Sequence, residues 1–228
     1  MRLAFVTPAW RRPAVTALAL AQRRQLCDGL AARGITATCT IIADDENKEI
    51  AKQHGFGWIH MENHPLGRKI NAGFQQALDD GADYVSFVGS DNWLHPDLFK
   101  LSDLEQEFVI TGRSLCQYDL ATGRSKIVTT RSVFGVIPWL IPRIAFARGK
   151  ILSNECDRGI DINIGFALSN QALQWVWHDP HPLARVDFKS DINMTPFGAG
   201  AGEPGPDLMS AYPAQLVEMA DEFREVAA

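Results

Sequence analysis

The chain has 228 residues, of which 46% are hydrophobic and 21% are charged, and its formal net charge is −5. This length and composition are typical of a globular protein with one core, or with a core and a small lobe. The negative charge gives no overall attraction to nucleic acid. It does not exclude a local basic patch around Arg11, Arg12, Arg68 and Lys69.

The cysteine spacing and the hydropathy of the chain indicate the cellular compartment in which the protein is expected. The four cysteines have no C-x-x-C spacing, so we expect reduced thiols in or near the core. Arg11 and Arg12 interrupt the N-terminus before it could form a signal segment. No apolar stretch approaches the roughly 20 residues that span a bilayer. We therefore expect a cytoplasmic protein without a transmembrane segment.

The predicted elements of the first hundred residues alternate between strand and helix. The apolar run at residues 2–7 predicts a strand, and a helix begins at Pro13 and ends by Gly34. The next predicted elements are a strand at 35–43, a short helix at 47–53, a strand at 58–61, a helix that includes 70–78 and a strand at 83–88. This alternation predicts an α/β fold with a mostly parallel central sheet flanked by helices.

The second half is less regular. We predict strands near residues 108–112, 126–130, 175–178 and 184–189, an apolar stretch at 133–146 and a helix at 161–173. A glycine-rich flexible connector at 198–206 and an amphipathic helix at 214–226 complete the chain. A single domain over 1–228 is the expected organisation.

Four motifs lie at or near the ends of the predicted strands. They are Val6-Thr7-Pro8 with a following aromatic residue and arginine, Ile41-Ile42-Ala43-Asp44-Asp45, Gly67-Arg68-x-x-Asn71-x-Gly73 and Phe87-Val88-Gly89-Ser90-Asp91-Asn92-Trp93-Leu94-x-Pro96. In this order they resemble the nucleotide-binding half of family 2-like GT-A glycosyltransferases. The resemblance covers residues 3–100 well and the remainder loosely.

The resemblance implies a GT-A-like domain with a nucleotide-sugar-binding half at about 1–100. An acceptor-side half at about 101–197 and a connector with a C-terminal helix at 198–228 would follow it. The implied reaction is an inverting transfer of a sugar from a nucleoside diphosphate donor, such as a UDP-sugar, to an acceptor hydroxyl. The implied cofactor is a divalent cation, Mn²⁺ or Mg²⁺. The acceptor is left open between a glycan, a lipid, a protein, a small molecule and a modified nucleic-acid base.

Asp91 is the metal-ligand candidate, because a cation held by a carboxylate neutralises the charge of a diphosphate leaving group. The family usually has Asp-x-Asp here, whereas this chain has Gly89-Ser90-Asp91 and lacks the first carboxylate. A plain turn after a strand is the alternative interpretation. His178 and His181 are candidates for a late third ligand, with surface-loop histidines as the alternative.

The donor-binding candidates come from the same resemblance. Asp44 or Asp45 would accept a hydrogen bond from the nucleobase, although Asp44 would also suit a helix cap. The remaining candidates are the wall of the base pocket and the polar residues near the phosphates: Pro8, Trp10, Arg11, Arg68, Asn71, Ser90 and Asn92. A guanidinium group near a helix N-terminus suits phosphate, which favours Arg68.

An inverting transfer needs a carboxylate that removes the proton of the acceptor hydroxyl. The resemblance implies an acidic residue of this kind in the segment at 155–161, so Asp161 and then Asp157 are the candidates, and either could instead cap a helix.

Two other functions compete with glycosyl transfer. A nucleotidyltransferase shares the α/β layout but ordinarily has a glycine-rich loop after the first strand, where this chain has Thr-Pro-Ala-Trp-Arg-Arg. A catalytically silent relative that binds a nucleotide sugar or glycan is compatible with the missing carboxylate. The sequence has neither G-x-x-x-x-G-K-[ST] nor G-x-S-x-G, so P-loop and α/β-hydrolase functions are not indicated.

Overall fold

The computed structural model describes residues 1–99, 108–129, 136–181, 183–189 and 203–205, together with Asp221 and Glu225. The helices in this part of the chain are α1 (Pro13–Ala31), α2 (Lys48–Gln53), α3 (Leu66–Asp79), α4 (Arg143–Arg148) and α5 (Ile160–Ser169). The strands are β1 (Arg2–Pro8), β2 (Thr36–Ala43), β3 (Gly57–His60), β4 (Tyr84–Phe87), β5 (Asn92–Leu94), β6 (Phe108–Gly112), β7 (Ser114–Asp119), β8 (Ser125–Thr129), β9 (Val136–Pro142), β10 (Gln174–Trp177), β11 (Arg185–Lys189) and β12 (Glu203–Pro204). Short 3-10 turns occur at Asp45–Asn47 and Pro96–Phe99.

The larger sheet has the strand order β10-β6-β9-β4-β1-β2-β3 among the described residues. Strand β1 is parallel to β2 and β4, β2 is parallel to β3, and β6 is parallel to β10. Only β9 runs antiparallel to its neighbours, β4 and β6, in this sheet as described. The prediction of an α/β fold with a large, mostly parallel central sheet is confirmed.

Helices cover both faces of this sheet, and β1 shows why. Its residues Leu3 and Phe5 are buried in the same cluster as Leu26 of α1. The alternate residues Ala4 and Val6 are buried with the apolar side chains of α3. Successive side chains of a strand point to opposite faces, so a continuous apolar run requires cover on both sides. The uninterrupted hydrophobicity of β1 therefore fixes its central position.

A second sheet, in the order β12-β8-β7-β11-β5, packs against the first half of α1. Strands β5 and β7 were not predicted from the sequence. Strand β5 has three residues and pairs antiparallel with β11, more than ninety positions later in the chain. A strand of three residues is stabilised by pairing with its partner strand, and no local sequence pattern predicts it.

Three further predictions differ from the structure or lie partly outside it. The helix expected at 161–173 ends at Ser169, and Ala172 follows with a positive φ of 52°. Part of the connector expected to be flexible is strand β12, which pairs with β8. The rest of the connector and the helix predicted at 214–226 lie outside the described residues, except for Asp221 and Glu225, which are helical. No described helix combines the length and the apolar character that a membrane crossing requires.

Helix α3 lies very close to the sheet at Gly73. A Cβ atom built at this position would lie 2.5 Å from both Cγ1 of Val6 and Cδ1 of Ile42. Gly67 is equally constrained, since its Cβ would lie 2.0 Å from the main-chain oxygen of Ser153. The two glycines of the Gly67-Arg68-x-x-Asn71-x-Gly73 motif are therefore explained by packing.

We predict that Gly73→Ala lowers the free energy of unfolding by about 1–3 kcal/mol, because the added methyl group overpacks the interface between helix and sheet. Urea unfolding of the full chain measures this change. Gly29→Ala in α1 is the matched control, because nothing lies within 4 Å of the added atom. That variant should be as stable as the parent or up to about 1 kcal/mol more stable. Equal effects of the two substitutions would contradict the close packing of α3.

Candidate functional site

The loop that follows β1 joins the ends of three parallel strands. The main-chain N–H of Arg11 donates to Oδ2 of Asp44, after β2, at 3.2 Å. On the other side, Nη2 of Arg12 lies 3.4 Å from Oγ of Ser90 and 3.7 Å from Oδ2 of Asp91, after β4. Both arginines have left-handed backbone angles, with φ values of 52° and 54°. This sharp turn allows neighbouring residues to reach opposite sides of the sheet edge.

In the turn between β4 and β5, polar side chains lie close to Gly89. The N–H of Gly89 donates to Oδ1 of Asn92 at 2.8 Å. A Cβ on Gly89 would lie 2.8 Å from that same oxygen and 2.9 Å from Oδ1 of Asp91. A side chain at this position would therefore displace the side chains of Asn92 and Asp91, and Asn92 takes part in holding the turn closed.

A second carboxylate reaches Asp91 from another strand. Asp187 of β11 lies opposite Asn92 in the antiparallel pair, and its Oδ1 accepts a hydrogen bond from Nδ2 of Asn92 at 3.3 Å. Nζ of Lys189 lies 2.6 Å from Oδ2 of Asp187. Sequence reasoning missed Asp187. The alternation of polar residues with buried Val186 and Phe188 along β11 was the signal that could have found it.

These groups line one cavity of about 690 Å³ at the carboxyl edge of the sheet. A volume of this size suits a small-molecule ligand. Its described lining includes four carboxylates, one guanidinium group and one ammonium group: Asp91, Asp157, Asp161, Asp187, Arg158 and Lys189. Apolar walls are contributed by Phe87 at the end of β4 and by Ile160 at the start of α5.

The cavity raises the pKa values of two of its carboxyl groups. Burial raises the pKa of Asp161 to about 6, and the charge of Lys189 opposes this change. Burial and then the charge of Asp91 raise the pKa of Asp187, while Lys189 again opposes the shift. A carboxylate whose pKa lies near neutral pH can accept a proton and release it again. A catalytic role for Asp161 stays a prediction.

Asp44 and Asp45 point in different directions. Oδ1 of Asp44 accepts a hydrogen bond from Nδ2 of Asn47 at 2.7 Å, so this carboxylate is held between the turn after β2 and the loop after β1. Asp45 instead lies 3.2 Å from Nδ1 of His60, on an exposed surface. Of the two candidates, Asp44 is the one that faces Arg11.

The loop after β1 also presents an exposed aromatic ring. Trp10 is 43% exposed, and Cζ of Arg11 lies 4.4 Å from its ring centroid. Pro8 ends β1 opposite Ile42 of β2 and places Trp10 beyond the sheet edge. An exposed tryptophan beside a carboxylate offers a stacking surface and a hydrogen-bond acceptor at one location.

Lys69 of α3 contacts the loop after β1. Its Nζ donates to the main-chain oxygen of Ala9 and lies 3.4 Å from Oδ1 of Asn63, and its side chain is fully buried. Burial lowers the pKa of Lys69 to about 8, and the charges of Asp44 and Glu62 oppose this change. The sequence analysis named Lys69 only as part of a possible basic patch, and its contact with this loop was not predicted.

Arg68 and Asn71 lie where α3 meets the loop at 152–157. Nη2 of Arg68 is 3.4 Å from Oε1 of Glu155, and both side chains are exposed. Nδ2 of Asn71 donates to the main-chain oxygen of Leu152 at 2.9 Å and to Oδ1 of Asn154 at 2.7 Å. Asn71 thus tethers this loop, whereas Arg68 remains accessible near the start of α3.

Asp157 also holds the start of α3. Its Oδ1 accepts the N–H of Leu66 at 2.7 Å and lies 3.1 Å from Nδ1 of His64. These two contacts lower the pKa of Asp157. Asp157 borders the cavity. A lowered pKa makes it a weaker base than Asp161.

His178 and His181 are not among the residues that line the cavity. Nε2 of His178 lies 3.1 Å from the main-chain oxygen of Asp97, and the ring centroids of His181 and His95 are 4.6 Å apart. The structure places both histidines at the far end of β5 from Asp91. The sequence analysis predicted that one of these histidines joins Asp91 as a metal ligand. The structure does not bring either histidine together with Asp91.

No protein-family model and no curated protein matches this chain. Among solved structures, S. aureus TarS aligns with a TM-score of 0.56 and 11% identity over 83% of this chain and 37% of TarS. S. aureus TarS 1-349 in complex with UDP aligns with a TM-score of 0.55 and 12% identity over 83% of this chain and 61% of that one. The inositol-1-phosphate CTP transferase of T. maritima has a TM-score of 0.49 and 11% identity, over 100% and 98% of the two chains.

At these identities the comparisons show the fold. The chain has the GT-A-like fold, and the fold predicted from the four motifs is confirmed. The chain spans about three fifths or less of the two TarS chains that it matches.

We predict that Asp161→Asn stabilises the protein at pH 7.5 but not near pH 4. The pKa of Asp161 is raised to about 6 in the folded state, so its ionisation opposes folding above that pH. Near pH 4 the carboxyl group of Asp161 is protonated in the folded protein. Most of the free-energy cost of its ionisation is then absent. For a side chain that is only partly shielded, the expected gain at pH 7.5 is about 1–2 kcal/mol.

Urea unfolding at the two pH values tests this prediction. Asp28→Asn is the control, because this carboxylate lies on the exposed face of α1 with its side chain 65% exposed. Its effect should stay within about 0.5 kcal/mol at both pH values. A loss of stability in Asp161→Asn at pH 7.5 would show that the charged form of Asp161 is favoured by its surroundings.

Proposed function

We propose that this protein is a glycosyltransferase that moves a sugar from a nucleoside diphosphate donor, such as a UDP-sugar, to an acceptor hydroxyl. The observation that carries the proposal is the cavity at the carboxyl edge of the sheet, where Asp91, Asp161 and Asp187 converge. Ligands of open α/β sheets bind at this edge. The domain that carries the function would be the single domain proposed for residues 1–228.

The donor would lie along the edge formed by the loop after β1. Trp10 offers a face on which the base or ribose can stack, and Asp44 offers an acceptor for an N–H group of the base. Arg12 lies beside Asp91 and Ser90, where a diphosphate would pass on its way into the cavity. Arg68 is a second accessible guanidinium group near the start of α3.

The residues at the end of β4 fit a divalent cation. Asp91 and Asp187 provide carboxylate oxygens, which are the ligands that Mg²⁺ and Mn²⁺ prefer. Asp187 would thus supply the carboxylate that Gly89 cannot carry. When bound, such a cation supplies charge neutralisation for the diphosphate leaving group.

Asp161 would act as the general base in the transfer. The acceptor oxygen forms a bond to the anomeric carbon while the bond from that carbon to the diphosphate oxygen breaks. The hydroxyl proton passes to the carboxylate of Asp161, and the nucleoside diphosphate leaves with the bonding electrons. Attack from the side opposite the leaving group inverts the configuration at the anomeric carbon. The pKa of Asp161, raised to about 6, suits this proton transfer near neutral pH.

A second candidate function is binding of a nucleotide sugar without turnover. One observation favours it: Arg12 and Lys189 already form ion pairs with Asp91 and Asp187. Two cations of the chain itself therefore offset the charges that a metal ion would otherwise balance.

We predict that Asp91→Asn lowers the rate of UDP release from UDP-sugars in the presence of Mn²⁺ by about 100-fold or more, since an interaction with developing charge is lost. Asp161→Asn should lower kcat to a comparable degree and leave the Kd for UDP unchanged. Asp28→Asn makes the same chemical change at an exposed position and should retain full activity. The measurements are UDP release, detected by a coupled assay, and calorimetric binding of UDP.

The outcomes distinguish the candidate functions. UDP binding without UDP release by the parent protein would favour the silent binder. Release of pyrophosphate from CTP or UTP with a sugar phosphate would favour a nucleotidyltransferase. Failure of both UDP and GDP to shift the melting temperature, with and without Mn²⁺, would overturn the proposal. Full activity of Asp91→Asn would remove Asp91 from the mechanism.

A further inference from the structure

The end of β5 that lies away from Asp91 carries a separate cluster of polar side chains. His95 is four residues beyond Asp91, which in extended chain corresponds to about 13 Å. The N–H of His95 donates to the main-chain oxygen of Ala184 at 2.9 Å, and the N–H of Ala184 donates to the oxygen of His181 at 3.0 Å. These contacts bring the turn at 95–97 against the segment that leads into β11.

Two imidazoles and one carboxylate converge at this junction. His95, Asp97 and His181 each offer one ligand atom, and the three atoms lie within 4.8 Å of one another. Nδ1 of His95 is 3.7 Å from Oδ2 of Asp97. In a tetrahedral zinc site with bonds of 2.0–2.1 Å, neighbouring ligand atoms are about 3.4 Å apart. A small contraction of the cluster would therefore give the spacing of a zinc site.

The ring nitrogens suit a metal ion. Nδ1 of His95 accepts a hydrogen bond from the N–H of Asp97 at 3.1 Å, and a metal ion bound at this nitrogen would replace that hydrogen bond. Metal ions bind a ring nitrogen that carries no proton. Nε2 of His181 is buried and has no hydrogen-bond partner in the described part of the chain. Buried polar atoms are normally paired, so a ring nitrogen of His181 without a partner among the described residues has capacity for a further contact.

Neighbouring side chains hold the cluster in place. His178 contacts the main-chain oxygen of Asp97 through Nε2 at 3.1 Å. The ring of Trp93 lies against His95, with a centroid distance of 5.6 Å. Contacts of this kind orient metal ligands in advance of binding.

We propose that His95, Asp97 and His181 form a binding site for a transition-metal ion of the Zn²⁺ type, distinct from the cavity at Asp91. Two imidazoles with one carboxylate favour Zn²⁺ over Mg²⁺ or Mn²⁺, which prefer oxygen ligands. The bound ion would join the end of β5 to the segment before β11. Because the other ends of these strands carry Asp91 and Asp187, the ion would stabilise the strand pairing that brings these two carboxylates together. The proposal does not depend on the sugar-transfer function.

The test uses the full chain after chelator treatment. Zn²⁺ is titrated by calorimetry, and Co²⁺ is titrated by visible absorption, because tetrahedral Co²⁺ has a characteristic spectrum. We expect about one equivalent of Zn²⁺ to bind and to raise the melting temperature. His181→Gln and Asp97→Asn should each weaken Zn²⁺ binding at least tenfold. His54→Gln, at the end of α2, is the matched control and should bind as the parent does. Circular dichroism confirms that each variant is folded.

Two results would overturn the proposal. One is the absence of Zn²⁺ binding by the parent protein. The other is a Zn²⁺ affinity that falls in Asp91→Asn but is unchanged in both His181→Gln and Asp97→Asn, which would place the ion in the cavity. The expected pattern is the reverse, with Asp91→Asn retaining Zn²⁺ binding. Because UDP binding and sugar transfer are measured separately, a failure of this proposal leaves the proposed function intact.

Discussion

Parallel pairing of β1 with both β2 and β4 determines where the polar groups of this protein meet. The ends of all three strands lie at one edge of the sheet, and the loop after β1 is long enough to contact the other two. Arg11 bonds to the end of β2, and Arg12 contacts the end of β4. Groups separated by about eighty residues in sequence are therefore held together by the backbone, before any ligand contributes.

Helix α3 supports that arrangement from beneath. Its glycines allow the helix to lie directly on β1 and β2, and its buried Lys69 donates to the loop after β1. At the N-terminus of the same helix, Leu66 and Asn71 bond to the loop at 152–157, which leads into α5. One helix thus fixes both walls of the cavity relative to each other. A motif that resembles a phosphate-binding signature in the sequence is also a packing signature in the structure.

The first half of the fold could be predicted because its strands and helices are each indicated by the pattern of neighbouring residues in the sequence. Continuous apolar runs at β1 and β2 require cover on both faces, and the intervening helices have the matching periodicity. Asp91 and Asp161 were candidates from the sequence, and both line the cavity. Asp187 was not a candidate, because its place depends on the pairing of the three-residue strand β5 with a distant partner. The junction of His95 with His181 was missed for the same reason.

The choice between Asp44 and Asp45 shows a second limit. Adjacent residues in a turn have nearly the same sequence context. Which carboxylate faces Arg11 depends on the backbone of the turn after β2 and of the loop after β1. In the same way, the sequence showed that a carboxylate is absent at Gly89. It did not show that Asn92 and Asp91 occupy the space that a side chain there would need.

In the proposed function, two ion pairs at the end of β4 and on β11 would relate metal binding to nucleotide binding. Arg12 and Lys189 are paired with Asp91 and Asp187, so a divalent cation entering alone must compete with two cations of the chain. A diphosphate carries negative charge that attracts the same two side chains. In the proposed function, the phosphates of a bound donor would attract Arg12 and Lys189, and the carboxylates would gain capacity for the metal ion. Each ligand would then increase the affinity for the other, since a coupling free energy acts equally in both directions. The missing carboxylate at Gly89 would not exclude a metal ion under this proposal, but the binding of the ion would depend on the donor.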